Sequence, residues 1–173
     1  MSASLIKIAE TTVSSPTSIV TITGFSSTYD VYKVVLSGIS PATTDSDLYM
    51  RFTESGSVSA DTDYDEASKQ LRSDTTFSNL ADDNRGFFVL SGSLEDETGK
   101  NLNGEIYVFN SQESMATQCT INTVYVADDG TMLGIQGGGS YSQSTVVDGV
   151  SFNFDGPASN IDSGTFSVYG LRK

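Results

Sequence analysis

The chain contains no histidine and no tryptophan, one cysteine, three prolines, and nine basic residues against 22 acidic ones. Each shortage removes a class of chemistry. Without imidazole there is no Ser-His-Asp triad, no Cys-His pair and no histidine metal ligand. A single cysteine closes no intramolecular disulfide and builds no cysteine-rich zinc site. A net charge of −13 and a pI near 4.1 oppose binding to a phosphate backbone, which draws its affinity from Lys and Arg. No run approaches the roughly 18 consecutive apolar residues of a membrane span. The first ten residues, Met1 to Glu10, lack the basic start and long apolar stretch of a secretory leader. These absences lead to an expectation of no catalytic residue, no metal site, no cofactor, no nucleic acid and no membrane.

What remains is polar but mostly uncharged. About a quarter of the 173 residues are Ser or Thr, with 37% hydrophobic and only 18% charged. A chain of this length suffices for one domain burying about 70% of its unfolded surface. The low apolar share points to small polar residues on strand surfaces, or to an interface that completes the core.

Period two dominates the chain. Leu48, Met50 and Phe52 alternate with Tyr49, Arg51 and Thr53. Ile106 and Val108 alternate with Glu105, Tyr107 and Phe109, and Val150, Phe152 and Phe154 with Ser151 and Asn153. Phe166 and Val168 alternate with Thr165 and Ser167. Further strands are expected at Leu5–Ala9, Ser18–Thr23, Tyr32–Ser37, Gly86–Ser91 and Thr117–Ala127, with a tenth at Thr131–Gln136. Residues suited to pleated, half-exposed surfaces are abundant and no window supports a long amphipathic helix. The expected fold is all-β: a two-sheet antiparallel sandwich, jelly-roll-like, with eight to ten strands.

The turn residues fit this reading. Asp128-Asp129-Gly130 reads as a tight hairpin turn. Asp148-Gly149 precedes one strand and Asp155-Gly156-Pro157 closes it. Gly24 and Gly38 end the second and third strands, and Gly137-Gly138-Gly139 reads as a loop without the Lys-Ser/Thr of a phosphate cradle. Residues 1–173 thus form a single β-sandwich domain, interrupted by a long acidic loop over about 55–85. Within that loop Tyr64–Leu71 reads either as an edge strand or as a short helical turn.

Candidate chemistry is sparse. Asp61-Thr-Asp63-Tyr-Asp65 copies the first three ligand positions of an EF-hand loop, then departs with Glu66 at position six and Arg72 at position twelve. An acidic solvated loop is the simpler reading. Nothing in the spacing of the 22 acids sets two carboxylates across a cleft for glycoside hydrolysis. Cys119, in an alternating run, reads as a buried structural thiol. Outward-facing tyrosines among the eight suit subunit contacts. Phe87-Phe88-Val89-Leu90 is apolar on both faces, so that strand is either covered on both sides or meets another chain.

Several segments together resemble a module recurrent in tailed-phage genomes, marine and cyanobacterial phages in particular. These are Leu5-Ile-Lys7, Ser27-Thr-Tyr-Asp-Val-Tyr-Lys33, Leu48-Tyr-Met-Arg-Phe52, Gly104–Asn110, Val147–Phe152 and the closing Ile161–Leu171. The resemblance spans residues 5–171. It implies a non-enzymatic β-sandwich virion protein, a capsid cement or head-decoration protein, often trimeric, with the major capsid protein as partner and the capsid surface as location. No functional residues come with it. The acidic Asp61–Glu66 stretch departs from the Ser/Asn-Tyr loop usual in such modules. The alternative is a tail or head fibre module holding a host-surface glycan with loop side chains such as Tyr64, Asp65 and Tyr141. A carbohydrate-active enzyme ranks third. Basic Lys7, Arg172 and Lys173 near the ends would face acidic shell surface.

Overall fold

The computed structural model describes residues 4–155 and 159–171. The expected turn residues Gly156 and Pro157, and the terminal Arg172 and Lys173, lie outside the described residues. The alternating patterns become β1 (Leu5–Val13), β2 (Val20–Thr23), β3 (Val31–Pro41), β4 (Leu48–Glu54), β5 (Ser57–Val58) and β6 (Tyr64–Arg72). There follow β7 (Phe77–Arg85), β8 (Phe88–Val89), β9 (Leu102–Phe109), β10 (Thr117–Val126), β11 (Met132–Tyr141), β12 (Gly149–Phe154) and β13 (Ile161–Leu171). Thirteen strands among the described residues exceed the expected eight to ten, because β5, β6 and β7 all fall in the segment expected as a long loop.

The strands form two antiparallel sheets. The larger has the order β1-β13-β3-β9-β10-β11-β6-β7, and the smaller the order β2-β12-β4-β5, with β8 also paired to β4. The chain passes repeatedly from one sheet to the other, so each sheet is completed by distant segments. The inward side chains of both sheets share one apolar core, including Val34, Leu36, Met50, Phe52, Ile106, Val108, Phe152 and Phe166, all at most 1% exposed. Aromatic rings join the layers: Phe152 of the smaller sheet lies 5.0 Å from Phe166 of the larger, and Phe52 lies 5.8 Å from Tyr141. The all-β, two-sheet sandwich expected from the sequence is the observed architecture.

The segment 55–85 is not a loop. Ser55 and Gly56 both have positive φ, 52° and 75°, and join β4 to β5 as a two-residue hairpin turn. Tyr64–Leu71 is strand, not helical turn, and it is not the edge: β7 lies outside it. The sequence pattern failed here because β7 is exposed almost throughout and offers no apolar alternation. Its acids suit an edge strand, where charge discourages pairing with another chain. Asp82 is ion-paired with Arg85.

Gly137-Gly138-Gly139 is likewise no loop but the middle of β11, paired on one side with β10 and on the other with β6. A Cβ at Gly137 would lie 2.5 Å from the Ala67 carbonyl oxygen, so the neighbouring backbone takes the space a side chain needs. Gly38 does not end the third strand. At φ +64° it sits in a bulge, and β3 continues to Pro41. Gly24, at φ +123°, does follow β2 directly. Gly130 closes the β10–β11 hairpin at φ +81°, its N–H donating to the Ala127 carbonyl at 2.9 Å.

Cys119 is 4% exposed on the inward side of β10, and burial pushes its thiol up to about 12. The nucleophile is the thiolate, so both access and ionisation are denied. Native protein at pH 8 is therefore expected to consume essentially no thiol-specific disulfide reagent over minutes. One equivalent should react once denaturant is added, and stoichiometric labelling of native protein would contradict this burial.

Candidate functional site

The three carboxylates of the EF-hand-like stretch part company. Asp61 Oδ2 accepts from Ser59 Oγ at 3.2 Å, Asp63 Oδ2 from Gln143 Nε2 at 2.6 Å, and Asp65 Oδ1 from the Asn84 N–H at 3.0 Å. Only Asp65 lies in β6; Asp61 and Asp63 belong to the irregular segment before it, and each carboxylate is taken up by a different partner. No group of three or more His, Cys, Asp or Glu gathers as a metal-ligand set among the described residues.

The loop ligands expected of a glycan-binding module do not form a site either. Tyr64 and Tyr141 are fully buried, packed ring against ring at 4.7 Å. The Tyr64 hydroxyl accepts from the Phe52 N–H at 3.0 Å, and burial pushes its pKa up to about 12. Tyr141 donates to Glu54 Oε1 at 2.6 Å, and its oxygen also lies 3.0 Å from Asp61 Oδ2. Burial, and then the bond to Glu54, raise its pKa, so it acts as a fixed neutral donor tying the β4 end to the 59–61 segment. Two acids thus meet, but around a hydroxyl that both already use.

The distribution of charge over the larger sheet is more informative. In its regularly paired part, alternation turns Lys7 and Glu10 of β1, Lys33 of β3, Glu105 of β9, and Asp65 and Lys69 of β6 outward. Three lysines and three acids leave this face formally neutral, on a chain that carries −13. Asp83 and Asp162 sit in bulges at strand ends. Lys7 is ion-paired with Glu10 and Lys33 with Glu105. The bond to Glu105 is the main cause raising the Lys33 pKa, and Lys33 also lies 5.1 Å from the Tyr107 ring centre.

The rest of the face is uncharged. The outward positions of β10 are Gln118, Thr120, Asn122, Val124 and Val126, and those of β11 include Met132, Gly134, Gln136 and Gly138. Val124, Met132 and Phe77 are exposed by 46, 54 and 60%, with Leu71 half-buried beside them. Gly134 and Gly138 keep the middle shallow. Of the tyrosines, Tyr107 and Tyr169 face outward here, whereas Tyr32, Tyr64, Tyr125 and Tyr141 are core. The β10 part of this face and the first half of β11 are readable from the sequence; β7 and the glycines 137–139 of β11 read as loop, and β6 stands open between an edge strand and a helical turn.

Phe87-Phe88-Val89 is apolar on both sides for a reason internal to the chain. Phe88 points into the core, while Phe87 stacks on Tyr49 at 3.8 Å on the other side of the smaller sheet. Fold and surface together define an antiparallel β-sandwich with one broad neutral sheet face and acids concentrated elsewhere. No family model, curated protein or solved structure matches the chain.

Proposed function

We propose that this chain is a structural virion protein of a tailed phage, a cement or head-decoration protein that binds the assembled shell. The observation that carries the reading is the balance of three lysines and three acids over the regularly paired outer face of the eight-stranded sheet, on a molecule of charge −13. Interface centres are depleted in charge and tolerate few unpaired ions. The apolar patch at Val124, Met132, Leu71 and Phe77 adds area whose burial favours association. Acids on the remaining surface keep free subunits soluble and apart. A protein that binds only the assembled shell stabilises it by mass action and needs no catalytic group. In this reading the partner is the major capsid protein, the bound form is a homotrimer, and the location is the capsid surface. The motif resemblance across residues 5–171 supports the same assignment.

Val124→Asp tests the face. Val124 is outward and 46% exposed, so the substitution should leave the melting temperature nearly unchanged. Burying an unpaired carboxylate at an interface costs several kcal/mol, so co-sedimentation with purified capsids lacking the protein should weaken about 100-fold. Labelled particles should carry the protein on heads. Finding it on tails alone, or unaltered capsid binding by the variant, would reject the proposal.

A further inference from the structure

On the side of the β6–β7 hairpin turned away from the neutral face, Gln70 and Leu80 stand opposite β4 and β8 across a half-open groove of about 370 Å³. This volume falls within the range of about 300–1,000 Å³ typical of small-molecule sites. One wall is the Tyr49–Phe87 stack, with rings 3.8 Å apart and 17° from parallel, flanked by Val89. Leu80 forms the opposing apolar side.

The floor is polar and kept open by a glycine. The atoms nearest a Cβ built on Gly92 would be Gln70 Nε2 at 3.6 Å, Asp47 Oδ1 at 3.7 Å and Tyr125 Oη at 3.9 Å. Three hydrogen-bonding atoms from three separate segments therefore converge on one small space. Each is held from behind: Asp47 Oδ1 accepts from the Ser93 N–H at 2.7 Å, and Tyr125 Oη accepts from the Gly92 N–H at 2.9 Å and from Gln70 Nε2 at 3.1 Å. Tyr49 Oη and Asp47 Oδ2 are 3.5 Å apart, a long contact that an inserted hydroxyl would bridge. Burial and the neighbouring Asp47 charge push the Tyr49 phenol up to about 12, which keeps it a neutral donor. Arg85 also lines the groove, its guanidinium 5.9 Å from the Phe87 ring centre.

We propose that this groove is a carbohydrate subsite that takes one neutral pyranose ring. The match is chemical. A pyranose has an apolar C–H face to lie along aromatic and aliphatic walls, and hydroxyls that both donate and accept. Asp47 accepts such hydroxyls and Tyr49 donates to them, while Gln70 does both. An aliphatic chain would leave these groups unserved on desolvation, and an anionic sugar would meet the Asp47 carboxylate. The groove and the neutral face lie on opposite sides of one hairpin, so both can be occupied at once.

Saturation-transfer NMR of the full chain with methyl α-glucopyranoside, methyl α-mannopyranoside, methyl β-galactopyranoside and N-acetylglucosamine tests this. Transfer to the ring C–H protons of at least one sugar is expected. Gly92→Ala places a methyl in the polar floor at ordinary contact distances, so it should fold normally and weaken that sugar at least tenfold. Phe87→Leu, which removes the stacking wall, should weaken it comparably. Val124→Asp should bind the sugar as the parent does, which separates this site from the shell-binding face. No transfer from any of the four sugars, or undiminished binding by folded Gly92→Ala, overturns the proposal.

Discussion

Phe152→Ala is expected to cost about 3–5 kcal/mol, the range for truncating a fully buried aromatic. Phe152 is 0% exposed and sits in β12 between Met50 of β4 and Val20 of β2. Its ring lies 5.0 Å from Phe166 of the opposite sheet, so its removal opens a cavity where the two layers meet. The surrounding strands are held by ladders on both sides and have little freedom to collapse into the space. Native domains have only about 5–15 kcal/mol to lose, so this single change takes a large share. Urea titration should show a lower midpoint at an unchanged slope. A cost under about 1 kcal/mol would mean that the sheets do not pack through this residue.

Gly139→Ala is expected to cost about 3 kcal/mol, at the upper end for overpacking. A Cβ there would stand 2.5 Å from the Asp65 carbonyl oxygen and 2.8 Å from Phe88 Cδ1. The ring has somewhere to go only by disturbing the core, and the carbonyl belongs to the β6 backbone paired with β11. Relief therefore requires moving β6, and with it the β7 edge. Amide hydrogen exchange should show β6 and β7 losing protection before the rest of the larger sheet. Gly56→Ala is the control. Its φ of +75° is strained for alanine, but nothing lies within 4 Å, so its cost should stay near 1 kcal/mol. Equal costs at the two positions would show that the crowding around Gly139 is relieved cheaply, against the expectation.

Both substitutions lie where sequence reading had different success. Phe152 belongs to a strand whose alternation, Val150-Ser-Phe-Asn-Phe154, states its own secondary structure and its own inward face. Gly139 belongs to three glycines that read as a loop, because glycine carries no side chain to show a period. The strand there is imposed by β10 and β6 pressing from either side. The segment 64–85 was obscure for a related reason. An edge strand such as β7 has few inward contacts, so selection for an apolar face is weak and its composition resembles a loop.

The functional surfaces divide in the same way. Residue order alone establishes that the protein is all-β, that it lacks imidazole and paired-cysteine chemistry, and that its acids outnumber its bases by 13. These follow from local periodicity and counting, which need no knowledge of partners in space. Which residues share a surface is settled by the folding of the two sheets. It buried Tyr64 and Tyr141 together and spread Asp61, Asp63 and Asp65 apart. It gathered three lysines and three acids from four strands onto one neutral face, and it brought Asp47, Gln70, Gly92 and Tyr125 to one groove floor. Most of these juxtapositions rest on antiparallel pairing between segments tens of residues apart in the chain. Register between distant strands is set by the packing of the whole core, so neither surface is written in any one stretch of sequence.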